Sequence, residues 1–156
     1  MFVGATNPCP CGYLGDSEHP CQDSAADIAK YRARLSGPIA DRIDMRIWVG
    51  RVDRDALPTN SNDLSAIDAR DLVNQSRAIA LARQGRANAE LSIQQTEALP
   101  AEIGSIEILR TAIKRLGLSL RVYHRTLRVS QTIADLEKAQ KISPEHILEA
   151  LAFRES

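Results

Sequence analysis

The spacing of apolar positions divides the chain into two regions. In the first, an apolar run over residues 1–6 predicts a short buried strand that ends at Pro8, because proline cannot continue a strand ladder. Residues 45–49 alternate apolar and polar side chains, which is the period of a half-buried strand. Between them, the proline- and glycine-rich residues 8–21 predict a loop, and residues 23–35 predict a helix.

From residue 64 onward, apolar residues recur at spacings of three and four, which predicts helices throughout. Four helices are expected, over residues 64–86, 103–116, 120–139 and from Pro144 onward. Gly117 is expected to end the second helix and Ser119 to cap the third, while Ser143 before Pro144 is a strong start signal for the fourth. The third helix is expected to bury Tyr123, Leu127 and Ala134. Four such helices can share one core.

Only the second region contains enough predicted elements to form a complete fold. Two strands far apart in sequence cannot form a sheet with both faces covered, so residues 1–50 predict an incomplete α/β segment. Residues 51–62, with a proline and a polar cluster, predict a linker, and residues 63–156 predict a helical bundle. The predicted fold class is therefore mainly α. Residues 1 to about 60 are expected to be poorly ordered in isolation, because their sheet partners are missing.

Composition and charge narrow the class of protein. The 156 residues carry 20 Lys and Arg against 20 Asp and Glu, so the formal net charge is zero. No apolar stretch approaches the roughly 18 residues of a membrane span, and the first residues lack the basic flank of a secretory signal. A soluble, cytoplasmic protein without a membrane partner is therefore expected.

The charge is unevenly distributed. Residues 108–156 contain nine basic and five acidic side chains, and no acid lies between Ile108 and Ala134. The cations of that window are Arg110, Lys114, Arg115, Arg121, Arg125 and Arg128. Such a run is either a solvated helix face or an anion-binding surface.

Three cysteines lie close together in the predicted loop. Cys9, Cys11 and Cys21 cannot form a closed disulfide set, and clustered thiols in a reducing compartment often bind a metal. A tetrahedral zinc site would need a fourth ligand, for which Asp23, His19 or water is chemically suitable. The alternatives are a reduced loop without metal and, with less support, a redox-active cysteine pair.

Two arginines occupy positions where their charge could act on a ligand. Arg42 lies between Asp41 and Asp44 in a loop that follows a Gly-Pro pair, and the simplest interpretation is a local ion pair with one of these acids. Arg121 falls in the first turn of the third predicted C-terminal helix, where a cation opposes the helix dipole at a cost of a few tenths of a kcal/mol. A solvated surface arginine is the alternative. The chain contains no phosphate-binding Gly-x-x-x-x-Gly-Lys-Ser/Thr loop.

Three motifs occur together in this order. They are residues 3–13 (VGATNPCPCGY), residues 29–44 with SGPIADRID at their end, and residues 117–125 (GLSLRVYHR) followed by TIADL at 132–136. Together they resemble the carboxy-terminal third of the magnesium-chelatase-like AAA+ ATPases of the ComM/YifB type. The resemblance covers nearly the whole chain and implies a fragment, in which an incomplete α/β AAA+ core precedes a helical lid domain. The P-loop and the acidic magnesium-binding strand of such ATPases do not occur in the sequence.

The resemblance implies roles for three residues. Asn7 matches the sensor-1 residue, which helps to orient the attacking water, and Arg42 matches the arginine finger, which reaches a nucleotide on a neighbouring subunit. Arg121 matches the sensor-2 arginine of the lid. These are the expected catalytic residues, with Arg42 and Arg121 also binding ATP, which is bound with Mg²⁺ in the full-length protein. The matching cysteine loop of the family ends Cys-x-Cys, whereas this chain has Asp23 at the last position.

The resemblance also implies a function for the parent protein. It would be a ring-forming, hexameric ATPase similar to the DNA branch-migration helicases of natural transformation, and this fragment alone should not hydrolyse ATP. The enzymatic alternative is a magnesium chelatase ATPase subunit acting on porphyrin. The non-enzymatic alternative is a helical module that binds nucleic acid through the cations of residues 110–128, a window in which Tyr123 is the only aromatic residue.

Overall fold

A computed structural model describes residues 2–35, 37, 39–50 and 64–154 of the chain. The described part is mainly helical, which confirms the predicted fold class. It contains two compact units, the first with residues 2–42 and 48–50 and the second with residues 43–47 and 64–154. The linker predicted over residues 51–62 lies outside the described residues.

The first unit consists of loops, one α-helix and one short 3₁₀ helix. Helix α1, Ala25–Ala33, begins where the Ser24 hydroxyl accepts a hydrogen bond from the backbone N–H of Asp27. The 3₁₀ helix spans Ala40–Arg42. No residue of α1 is fully buried, so this unit has little apolar core of its own.

The two predicted strands are wrong within the described part of the chain. Neither residues 2–6 nor residues 45–49 form a strand there, and Val3 and Val49 are exposed rather than buried. An apolar run becomes a strand only when a neighbouring backbone supplies the ladder hydrogen bonds, and no described segment does so.

The second unit contains five α-helices. They are α2 Ala66–Gln84, α3 Ile93–Glu97, α4 Ser105–Arg115, α5 Leu120–Leu136 and α6 Pro144–Ala152. Four of them confirm the predicted helices, with Ser119 and Ser143 as side-chain caps. Helix α3 was not predicted, although Ser92 and Gln95 form a capping box that the sequence contains.

Glycines end two of the helices, and Gly117 ends α4 as predicted. Gly85 and Gly117 adopt left-handed backbone angles, with φ of 72° and 62°, after α2 and α4. Helix α5 ends at Leu136, three residues before its predicted end, because Lys138 takes the left-handed conformation with φ of 60°. The N–H of Ala139 then donates to the carbonyl of Ala134 at 2.8 Å and closes the helix without a glycine.

Helix α5 is the central element of the second unit. It contacts α2, α3, α4 and α6, and Tyr123, Leu127 and Ala134 are buried as predicted. The apolar core cluster consists of Leu109, Tyr123, Leu127, Ile142, Ile147 and Leu151. Side chains on the exposed face of α5 are therefore held by a helix that is itself fixed in a core. Among the described residues, no helix combines the length and the apolar character needed to cross a bilayer.

Candidate functional site

The three cysteine sulfur atoms are in mutual contact. Their Sγ atoms lie 3.4 Å apart for Cys9 and Cys11, 3.6 Å for Cys9 and Cys21, and 3.5 Å for Cys11 and Cys21. Tetrahedral zinc, with bonds of about 2.3 Å to sulfur, requires sulfur atoms about 3.8 Å apart. The thiols are therefore placed close to the spacing of a metal-thiolate site, and Cys9 is fully buried.

Asp23 completes this four-residue group. One Asp23 carboxylate oxygen lies 3.7 Å from the Cys21 sulfur, and the ligand atoms of all four residues lie within 4.8 Å of one another. The backbone N–H of Cys11 donates to Asp23 at 2.9 Å, and this bond, with those from the thiols, lowers the pKa of Asp23. An ionised carboxylate and three thiolates form a donor set that suits zinc.

The pKa values of Cys21 and Cys11 are shifted in opposite directions. Although the backbone N–H of Asp23 acts in the opposite direction, burial and the neighbouring thiols raise the pKa of Cys21 to about 12. At Cys11, the hydrogen bond with Asp23 favours the thiol, but backbone groups of Tyr13 and Gln22 outweigh it and lower its pKa. A cation bound here would have to displace the proton of Cys21.

His19 lies outside the four-residue group. Its ring stacks on Tyr13 with centroids 5.2 Å apart, and its Nδ1 lies 3.7 Å from the Asp16 carboxylate. Of the two side chains considered as a fourth ligand, the structure thus places Asp23 with the thiols and His19 with Tyr13 and Asp16.

Asn7 lies beside the cysteine loop. A Cβ atom at Gly12 would stand 3.6 Å from the Asn7 side-chain nitrogen, so the exposed amide lies over the turn between Cys9 and Gly12. That turn is closed by the Gly12 N–H donating to the Cys9 carbonyl at 3.1 Å, with Gly12 at φ of 84°. The conformation of the cysteine loop therefore affects the position of Asn7.

Arg42 is the last residue of the 3₁₀ helix and is exposed. Its backbone N–H donates to the Ile39 carbonyl at 3.0 Å. Asp44, one of the two acids considered as its partner, forms an ion pair with Arg125 of α5. Sequence reasoning missed this pair because 81 residues separate its members.

Arg121 lies in the first turn of α5, where Ser119 caps the helix by accepting from the Val122 N–H at 3.3 Å. The three residues after it, from Val122 to His124, are buried, whereas Arg121 is exposed. Its guanidinium forms no hydrogen bond or ion pair with the part of the chain that the structure describes. A cation is thus held at the positive end of a helix without an internal partner there.

Other cations of the basic window have internal partners. The Arg128 guanidinium donates to the Leu91 carbonyl at 2.6 Å and to the Thr96 hydroxyl at 3.1 Å, which ties α5 to α3. Arg125 binds Asp44. The window is therefore not one continuous solvated face.

His124 is buried at the same end of α5, where it contacts the exposed Glu97 and the buried Tyr123. Its Nε2 lies 3.0 Å from the Glu97 carboxylate, and its ring meets Tyr123 edge to face with centroids 5.2 Å apart. An open cavity of about 520 Å³ lies next to it. Its lining residues include Glu97, Lys114, Gly117, Leu120 and Tyr123.

Two family matches together cover most of the chain and place it in the magnesium chelatase class. The family described as "Magnesium chelatase, subunit ChlI" matches residues 1–57, and "Magnesium chelatase, subunit ChlI C-terminal" matches residues 64–154. The chain belongs to the magnesium chelatase ChlI family.

Individual relatives extend over nearly the whole chain. Competence protein ComM of Haemophilus influenzae is 36% identical over 99% of this chain, and YifB of Escherichia coli, described as uncharacterised, is 30% identical over 99%. An uncharacterised protein of Mycobacterium tuberculosis is 32% identical over 100%. The chain spans about 30% of the length of ComM and YifB, and 31% of the mycobacterial protein.

Proposed function

We propose that this chain is the sensor and lid part of a ring-forming AAA+ ATPase, whose P-loop lies in a segment outside residues 1–156. The observation that carries the proposal is Arg121, an exposed cation at the start of a capped helix that has no partner among the described residues. A cation at this position opposes the helix dipole, and binding of an anion by the guanidinium would offset that cost. Membership of the ChlI family supports a nucleotide as that anion.

Three residues have distinct roles in this proposal. Asn7 orients the water that attacks the γ-phosphate, Arg121 contacts the phosphates of ATP as the sensor-2 arginine, and Arg42 reaches the ATP of a neighbouring subunit. Phosphoryl transfer depends mainly on positioning and charge stabilisation, and an arginine finger supplies on the order of a thousandfold in rate. The exposed position of Arg42 at the end of a 3₁₀ helix is compatible with contact to another subunit.

The relation to ComM favours DNA as the material on which the ring acts. One relative is named a competence protein, and the motif resemblance implies a DNA branch-migration activity. The assembly proposed is a hexamer that uses ATP and Mg²⁺ in the cytoplasm to migrate DNA branches. A magnesium chelatase subunit acting on porphyrin is the alternative, and it predicts an ATPase rate that responds to porphyrin and not to branched DNA.

The non-enzymatic alternative, a nucleic-acid-binding module, has less support. Arg125 binds Asp44, and Arg128 binds Leu91 and Thr96, all within the same unit. These two guanidinium groups are therefore not free to bind nucleic acid. The remaining exposed cations are spread over α4 and the start of α5 and are not interleaved with aromatic residues.

We also propose that Cys9, Cys11, Cys21 and Asp23 hold one zinc ion. The close sulfur spacing and the ionised Asp23 support this donor set. Zinc would fix the loop beside Asn7, since the first cysteine ligand follows Asn7 by two residues. This role is structural and requires no open coordination position.

The test measures ATP hydrolysis by the full-length protein that contains this sequence. Arg42→Ala and Arg121→Ala should each lower kcat, Arg42→Ala by on the order of a thousandfold. Arg115→Ala is the matched control, because Arg115 is an exposed cation of α4 without an assigned role, and it should keep the parent rate. A parent rate in either Arg42→Ala or Arg121→Ala would overturn the role assigned to that residue.

A further inference from the structure

The helical second unit includes five residues that precede the linker region. Residues 43–47 group with residues 64–154, although residues 2–42 form a separate unit. The segment begins directly after Arg42, the proposed arginine finger. The chain therefore passes from Arg42 straight into a segment that is fixed on the helical unit.

Polar contacts hold this segment at its backbone. The Arg154 guanidinium donates to the Ile43 carbonyl at 2.6 Å, and the Arg46 N–H donates to the Phe153 carbonyl at 2.9 Å. Apolar burial contributes little, because Met45 and Ile47 are exposed. The attachment therefore depends on directed polar contacts.

The ion pair of Asp44 and Arg125 connects the same segment to α5. An Arg125 N–H donates to the Asp44 carboxylate. The Asp44 side chain is 53% exposed and that of Arg125 26%. Exposed ion pairs of this kind add little to stability. A role in positioning the segment 43–47 on α5 explains the pair better.

Arg125 stands one helical turn after Arg121. Residues four apart lie on the same side of a helix, and α5 is fixed in the core through Leu127 and Tyr123. A displacement of Arg121 along with its helix thus carries Arg125 with it. Asp44 follows Arg125 if the ion pair holds, and Asp44 is two residues from Arg42.

We infer that Asp44 and Arg125 are positioning residues that connect the nucleotide-sensing end of α5 to the arginine finger. ATP bound at Arg121 in one subunit would then set the position of Arg42 toward the next subunit's nucleotide. The inference rests on the proposed function, because it assigns a use to the pair only if Arg121 and Arg42 contact nucleotide.

The test uses single and exchanged variants in the full-length ATPase. Arg125→Gln and Asp44→Asn should each lower kcat at least tenfold while leaving the KM for ATP within twofold, because Arg121 itself is intact. Exchanging the charges with Asp44→Arg and Arg125→Asp together should restore a substantial part of kcat. Asp71→Asn is the matched control, since Asp71 forms an exposed ion pair with Arg70 on α2, and it should keep both parameters.

Arg42→Ala separates failure of the inference from failure of the proposed function. If Arg42→Ala lowers kcat but Arg125→Gln and Asp44→Asn do not, the coupling is wrong and the proposed function stands. If Arg42→Ala has no effect, the arginine-finger role in the proposed function is wrong, and the inference that rests on it is wrong as well. If the two single variants lower kcat and the exchanged pair restores nothing, the specific ion pair is wrong.

Amide exchange in the full-length protein without ATP tests the attachment. Arg125→Gln should speed exchange of the Arg46 amide several-fold, because that N–H joins the attached segment to the Phe153 carbonyl. Amides in the middle of α5 should exchange as in the parent chain. Unchanged exchange at Arg46 would show that Arg125 does not hold the segment and would overturn the inference.

Discussion

The carboxylate of Asp135 on α5 lies 2.5 Å from the guanidinium of Arg83 on α2, and its side chain is fully buried. A second Arg83 nitrogen donates to its other oxygen at 3.0 Å. Asn88 and Gln131 complete the shell by donating to it at 2.8 and 2.9 Å. This network ties α2 to α5, and it gives a structural role to an acid within one of the motifs that carry the family resemblance.

Replacing Asp135 should destabilise the second unit strongly. Asp135→Ala leaves the Arg83 guanidinium without its buried partner, so the free energy of unfolding should fall by about 3 kcal/mol. Urea unfolding followed by circular dichroism measures this change. Asp71→Ala, which removes an exposed acid of α2, should alter stability by less than about 0.5 kcal/mol. Equal losses in the two variants would contradict the importance of the buried network.

Arg128 should be required for stability and should not tolerate lysine. Its guanidinium donates in two directions, to the Leu91 carbonyl and the Thr96 hydroxyl, and a lysine ammonium cannot reproduce this fork. Arg128→Lys should lower the free energy of unfolding by about 1–2 kcal/mol, measured by thermal unfolding. Arg121→Lys, at an exposed position of the same helix, is the control and should leave stability nearly unchanged. A loss in the control as large as in Arg128→Lys would contradict this assignment.

The cysteine loop should bind one zinc ion per chain. Metal analysis of the reduced protein should find about one equivalent, and cobalt in place of zinc should give the absorption of a thiolate complex. Cys11→Ser and Asp23→Ala should weaken binding, while His19→Ala should not, because His19 lies outside the four-residue group. Binding that survives Asp23→Ala but is lost in His19→Ala would reverse the assignment of the fourth ligand.

Glu145 should make the stability of α6 depend on pH. A hydrogen bond from Ser143 and the backbone N–H at the helix start lower the pKa of Glu145 below its ordinary value of 4.5. A lowered folded-state pKa adds stability that is fully present above the unfolded-state pKa and is lost as pH falls through the folded-state value. Glu145→Gln should therefore be less stable than the parent chain at pH 7, and the difference should shrink below about pH 4. A difference in melting temperature that is the same at pH 3 and pH 7 would contradict this.

Local signals in the sequence were sufficient for most helices. Ser119 and Ser143 cap the helices that they were predicted to cap, and Gly85 and Gly117 end α2 and α4. The exceptions have local reasons as well. Helix α3 follows a capping box at Ser92 that was overlooked, and the end of α5 at Leu136 depends on a lysine in a conformation that glycine usually takes.

The candidate site was predictable only in part. The spacing of Cys9, Cys11 and Cys21 indicated a thiol cluster, but their contacts with Asp23 rather than His19 depend on how the loop folds back on itself. Likewise, the basic window was visible in the sequence. That Arg128 would bind carbonyl groups while Arg121 would remain exposed was not, because their partners come from other helices.

The sequence by itself determined the helical character of residues 64–154, the positions of most helix ends and the membership of the ChlI family, since periodicity, capping and motif order are local properties of the chain. Only the tertiary structure decided that residues 45–49 would not form a strand among the described residues, that Asp135 would be buried against Arg83, and that Asp44 would bind Arg125. These outcomes require partners that lie far away in sequence. A strand ladder, a buried charge and a long-range ion pair each exist only when folding brings the second partner into place.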